Sequence, residues 1–110
     1  MIDKRWVFHK EAEACEAAEG VTRRVLAYNE DMMCVENTFE EGAIGSLHYH
    51  PHTQITYVVS GEFEFEIEGE KKVVKAGDTM LKVDSVEHGC VCLKKGVLLD
   101  IFTPMRKDFV

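Results

Sequence analysis

From residue 62 to residue 67 the chain alternates without a fault: Glu62-Phe63-Glu64-Phe65-Glu66-Ile67. In an extended strand Phe63, Phe65 and Ile67 fall on one face and the three glutamates on the other, a period a helix would scatter around its circumference. Such a strand has one face to bury and one to wet, so other strands must cover it. The rest of the chain supplies candidates. Residues 22–28 and 32–39 are rich in strand formers, and Asn29-Glu30-Asp31 between them suits a turn. Gly69 supports a tight turn into a strand at 71–75, and Lys94-Lys95-Gly96 another into a strand at 97–103. Roughly eight to ten short strands at this spacing predict an all-β antiparallel sandwich or barrel and exclude a helical bundle. The one helix signal is the Glu- and Ala-rich run at 10–18, which stops before Gly20 and is worth one or two turns.

A chain of 110 residues holds one domain, divided here into an N-terminal arm at 1–20 and a barrel at 21–110. Twenty acidic residues against thirteen basic ones leave a formal charge of -7, which repels phosphate backbones and argues against a nucleic-acid partner. No apolar run approaches the ~20 residues of a membrane span. Met1-Ile2-Asp3-Lys4-Arg5-Trp6 lacks the apolar core of a signal peptide, so a cytoplasmic protein is expected. Cys15, Cys34, Cys90 and Cys92 form no C-x-x-C pair, and Cys90 and Cys92 would share one strand face, a geometry that does not favour a bond between them. Reduced thiols fit the same compartment.

Three of the five histidines lie within five residues, His48-Tyr49-His50-Pro51-His52. In an extended segment His48 and His50 point to the same side, about 6.5 Å apart, within joint reach of one ion. Gln54 could bring an amide oxygen to the same point from beyond Pro51, and His88 could close the set if the sheet folds back on itself. Imidazole suits zinc, copper, iron and nickel, and three imidazoles plus an oxygen leave room for water or substrate. A His-rich stretch standing alone also reads as an exposed tract. His52 falls outside this set and is expected to be a non-ligand.

Spacing adds to the histidines. Gly42, His48, His50, Gln54 and Gly61 form G-x5-H-x-H-x3-Q-x6-G, which resembles the first motif of the cupin superfamily. A second stretch, Gly77, Val83, Ser85, His88 and Cys92, keeps that superfamily's second-motif glycine and histidine but replaces its proline, second glycine and asparagine. The resemblance implies a single-domain jelly-roll β-barrel with a short N-terminal helical segment, and one divalent metal ion held by His48, His50, Gln54 and His88. Most cupins carry glutamate where this chain has Gln54. A neutral amide leaves the site near a charge of about +2, a stronger Lewis acid and a better attractor of a small carboxylate.

The C-terminal run from Val97 to Ile101 is an apolar strand broken by one carboxylate. Alternation puts Leu98, Asp100 and Phe102 on one face, and in a closed barrel Asp100 then risks burial without a partner. A carboxyl so placed is pushed toward its neutral form, as a general acid or base near neutral pH requires. An Asp at a strand edge, satisfied by a lysine or a turn amide, fits the same pattern.

Two stretches, HYHPHTQITYVVSGEFEF from His48 and LLDIFTPMRKDF from Leu98, look like the pectin-degradation KdgF family, with similarity from about Val21 to the C-terminus. That resemblance implies ring opening of 4,5-unsaturated uronate monomers to 4-deoxy-5-keto uronate. It carries the family's catalytic aspartate, aromatic and arginine onto Asp100, Phe102 and Arg106, which keep a D-x-F-x3-R spacing. The substrate would be a small anionic sugar; zinc, nickel, manganese or iron could each be the ion. Two alternatives are a metal-dependent dioxygenase on the same scaffold and a non-catalytic sugar-acid-binding cupin. Small cupins often pair through edge strands, so a homodimer is expected, with a strand near residues 5–8, carrying Trp6 and Phe8, as the contact.

Overall fold

The computed structural model describes residues 2–110. Eight strands form it: β1 (Ala14–Ala18), β2 (Val21–Tyr28), β3 (Met33–Phe39), β4 (Ile44–His48), β5 (Thr53–Ile67), β6 (Glu70–Lys75), β7 (Thr79–Lys82) and β8 (His88–Thr103). All pairings are antiparallel, and β5 and β8 run side by side along their whole lengths as the spine of a jelly-roll barrel. The first half of β5 pairs with β7 and its second half with β6. In the same way, the start of β8 pairs with β4 and its end with β3, which continues through β2 to β1. Each long strand therefore belongs to both walls, which closes the barrel.

That sharing requires the strands to bend, and the bend sits at Gly61 and Gly96. The ladder shifts register between Val58 and Phe63, and the buried face of β5 changes parity there, from Gln54, Thr56 and Val58 to Phe63 and Phe65. A Cβ on Gly61, whose φ is 83°, would lie 2.6 Å from Gly96 Cα. Gly61→Ala is expected to cost about 3 kcal/mol, from the left-handed backbone and the backbone clash together. A fall in the urea midpoint would show it, and an unchanged midpoint would mean the crossing is loose. Lys94-Lys95-Gly96 therefore makes no turn, contrary to expectation. The strand passes straight through, because Gly96 lets the two backbones touch.

The predicted strands at 22–28, 32–39 and 71–75 are present with ends moved by one residue. The helical segment expected at 10–18 shrinks to a single 3-10 turn, His9–Glu11, and Ala14–Ala18 is strand. Tertiary pairing with β2 outweighs the helix propensity of alanine and glutamate there. The sheet edge thus reaches into residues 1–20. Residues 5–8 form no strand, and Trp6 and Phe8 lie exposed.

Phe39, Val58, Phe63, Phe65, Cys90, Cys92 and Leu98 fill one end of the barrel, and Met33, Val35, Phe102 and Met105 form a second apolar cluster. The glutamates of the alternating strand face outward, Glu62 between Lys75 and Lys94 and Glu66 beside Lys71. All four cysteines are free thiols, and burial pushes that of Cys90 up to about 12. No helix among the described residues is long and apolar enough to cross a membrane.

Candidate metal centre and cavity

His48 ends β4 and His88 begins β8, and the register makes them direct cross-strand partners. Their ring centres are 4.4 Å apart, with the His50 ring 5.5 Å from one and 5.1 Å from the other. One nitrogen from each of the three lies within 4.8 Å of the others. The strand does not run on to His50 as expected; the chain turns off after His48, and the His50 ring joins the other two from an irregular segment. His48 Nδ1 donates to the Ser46 carbonyl at 2.7 Å and His88 Nδ1 to the Val86 carbonyl at 2.9 Å. A carbonyl only accepts, so each Nδ1 carries the proton and each Nε2 keeps its lone pair. The Gln54 side-chain oxygen lies 3.1 Å from His50 Nε2, and His50 Nδ1 is buried with no partner among the described residues. Two adjacent ligands about 2.1 Å from one ion stand about 3 Å apart at a right angle. This donor set, neutral and one bonded group short at His50, fits a divalent cation.

Burial lowers the pKa of His50 to about 4, helped by Arg106, and that of His88 to about 3, helped by Lys82. Both rings stay neutral where an unfolded histidine, near 6.5, takes a proton. The unfolded chain then binds more protons as pH falls below 6.5, so this part of the stability is present above that pH and is lost toward pH 3. The metal-free protein is expected to melt at a lower temperature at pH 5 than at pH 7, as thermal melts followed by circular dichroism would show. Equal melting temperatures would mean the rings are solvated.

Behind the imidazoles lies Asp100. Thr56 is its cross-strand partner on β5, and the Thr56 hydroxyl donates to Oδ1. Gln54 Nε2 also donates to Oδ1 at 2.8 Å, and Asn37 Nδ2 donates to Oδ2 at 2.7 Å. The carboxylate is buried as its strand face predicts, but it is not left without partners. Lys82, only 2% exposed, donates from Nζ to Thr56 Oγ1 at 2.7 Å. Desolvation lowers the Lys82 pKa, and the nearby Asp100 charge opposes that. Asn37, Thr56 and Lys82 are not legible as site residues in the sequence. Lys82 in particular sits in a four-residue strand that reads like any amphipathic edge.

After Thr103 the tail folds back over the cavity. Met105 packs into the second apolar cluster, its carbonyl accepts from His52 Nε2 at 3.1 Å, and its N–H donates to the Glu30 carbonyl. His52 therefore anchors the tail and stands outside the cluster of three imidazoles. The same return places Arg106 over the Phe102 and Phe109 rings, 5.3 and 4.3 Å from their centres. Arg106 Nε and Nη2 donate to the two oxygens of Asp108 at 3.0 and 2.8 Å, which holds the Asp108 carboxyl below its usual range.

His48, His88, Gln54, Lys82, Asp100 and Arg106 line one cavity of about 370 Å³, within the range of small-molecule sites. Asp100 is the one carboxylate among its lining residues, against Arg23, Lys82 and Arg106. A chain of net charge -7 thus encloses a cationic pocket.

A closed antiparallel barrel with imidazoles from two separated segments converging on one another is the architecture of a small cupin. Comparison with known families matches residues 35–102 to the cupin domain, and the chain belongs to the cupin family. Its relatives are narrower than that class. The chain is 41% identical to the pectin degradation protein KdgF of Dickeya dadantii (strain 3937), over 97% of this chain and 99% of that one. Among solved structures it resembles an RmlC-like cupin from Shewanella frigidimarina NCIMB 400, with a TM-score of 0.94 and 39% identity over 98% and 97% of the two chains. It also resembles KdgF from Halomonas sp., with a TM-score of 0.92 and 35% identity over 97% and 99%.

Proposed function

We propose that the chain is a KdgF-type enzyme of pectin or alginate breakdown that opens the ring of 4,5-unsaturated uronate monosaccharides. The observation that carries this reading is the single carboxylate, Asp100, set in a cationic cavity beside three imidazoles; the likeness to KdgF over nearly the whole chain supports it. His48, His50, His88 and the Gln54 oxygen would hold a divalent ion, whose chemistry when bound is Lewis-acid polarisation of the sugar's oxygens.

The remaining work falls to the protein's own groups. Asp100 takes the proton of the anomeric hydroxyl; the C1–O5 bond breaks as the C1 carbonyl forms, and the ring oxygen leaves as an enolate. Return of that proton from Asp100 to C4 as the C5 carbonyl forms gives the 4-deoxy-5-keto acid, with no net change in protons or redox state. Gln54, Thr56 and Asn37 fix the direction from which the Asp100 carboxylate can act. Phe102, 3% exposed, keeps water from that side of the carboxylate. Arg106 offers the sugar acid's carboxylate the guanidinium edge that Asp108 does not occupy.

Lyase-generated unsaturated monomers should lose their ultraviolet absorbance faster with the protein than in buffer, and chelator should remove the difference. Identical decay with and without protein would end this reading. The chain is further proposed to work as a cytoplasmic homodimer. Supporting this is the apolar outer face where Ile55 and Leu81 pair across β5 and β7, with Tyr57 and Val59 beside them, all exposed. Sedimentation giving the mass of one chain would remove the dimer.

A further inference from the structure

Arg23 and Arg24 are neighbours on β2 with opposite fates. Arg24 faces outward, where Nη1 donates to the Ala12 carbonyl at 2.8 Å and the guanidinium lies 3.9 Å from Glu36. Arg23 faces the barrel interior, opposite Asn37 in the β2–β3 register, and lines the cavity. No hydrogen bond or ion pair within the described residues reaches its guanidinium, and its Nε is buried without a partner. It stacks on the Phe109 ring, 3.8 Å from Cζ to the ring centre.

A buried N–H that finds no acceptor costs as much as a lost hydrogen bond, and folded proteins rarely leave one. Stacking on a ring uses the face of a guanidinium and leaves its N–H edges free for a planar anion. The other cavity arginine is less available, since Arg106 spends one edge on Asp108. Both guanidinium groups lie against the same Phe109 ring, Arg106 at 4.3 Å. The ring therefore holds two forks at one end of a cavity whose only acid is at Asp100.

We propose that Arg23 is a carboxylate-binding residue of this cavity, pairing with Arg106 around Phe109 to hold the acid group of a sugar acid. This rests on the reading of the cavity as a sugar-acid site and names the residue that selects the acid over the neutral sugar. Asn37, beside Arg23 and bonded to Asp100, then links the group that holds the substrate's acid to the carboxylate that works on its ring.

The test uses two saturated sugars that cannot react, D-galacturonate and neutral D-galactose, titrated into the metal-loaded protein by calorimetry. The side-chain Nε–Hε resonance of Arg23, assigned by its absence in Arg23→Lys, is followed in parallel. D-galacturonate is expected to move that resonance, and D-galactose to leave it in place. Arg23→Met should weaken D-galacturonate binding about tenfold or more, since a hydrogen bond to a charged group is lost. Arg23→Lys should weaken it less, with metal content and melting temperature unchanged. An unmoved Arg23 resonance, wild-type affinity in Arg23→Met, or no D-galacturonate binding by the wild type would each overturn the proposal. If D-galacturonate binds through Arg23 while unsaturated monomers decay no faster than in buffer, the ring-opening reading falls and the role of Arg23 stands. If acceleration survives Arg23→Met with unchanged KM, ring opening stands and the role of Arg23 falls.

Discussion

Asp100→Asn is expected to abolish the accelerated loss of monomer absorbance while leaving the barrel folded and its metal bound. A positioned general base contributes roughly 10²- to 10⁴-fold, so the variant should fall by about that factor. The substitution keeps shape but exchanges a two-oxygen acceptor for an amide with one. Three donors converge on this side chain, from Gln54, Thr56 and Asn37. The amide nitrogen must therefore face at least one of them, and a modest loss of stability accompanies the loss of rate. The measurements are initial rates at saturating monomer, metal content and circular dichroism, and full activity in a folded Asp100→Asn protein would remove Asp100 from catalysis.

Removing one imidazole should have an effect of similar size by another route. His88→Ala is expected to carry no bound ion after purification and dialysis, whereas the wild type carries one per chain. The two remaining rings and the Gln54 oxygen cannot fill the coordination that His88 completes. An ion held at a hundred times its dissociation constant stabilises the folded state by about 2.7 kcal/mol. In a domain of this size that corresponds to a melting shift of roughly 10 °C. Chelator should lower the wild-type melting temperature by that order and leave His88→Ala where it is. A stoichiometric ion in His88→Ala, or a wild-type melt indifferent to chelator, would mean the three rings are not the metal site.

Two features of the site are visible in the residue order for distinct reasons. The spacing of His48, His50 and His88 survives translation into three dimensions because the first two are local neighbours and the third begins a strand that pairs with the one His48 ends. Asp100 is legible because a charge in an apolar strand breaks a pattern that burial otherwise enforces. Lys82, Thr56 and Asn37 break none. Asn37 sits in the polar run Glu36-Asn37-Thr38, Lys82 ends a four-residue strand and Thr56 follows an ordinary alternation, and only the register, Thr56 opposite Asp100 and Lys82 opposite Gln54, turns them inward together. The family spacing names Arg106 but not its partner, and the structure pairs one edge of its guanidinium with Asp108, a contact two residues apart made at the tail's 3-10 turn.

The residue order by itself determined the strands near 21–28, 33–39 and 70–75, the interior face of the Phe63 strand and the nearness of His48 to His50, since period-2 burial and short-range spacing are local properties of a chain. It did not determine where strands end or which polar groups meet. Glu and Ala at 14–18 favour helix locally, yet an adjacent strand edge offers a ladder of hydrogen bonds. Lys94-Lys95-Gly96 resembles a turn, yet Gly61 on the neighbouring strand makes it a crossing. Partners dozens of residues away settle such choices, and only the closed barrel brings them into contact.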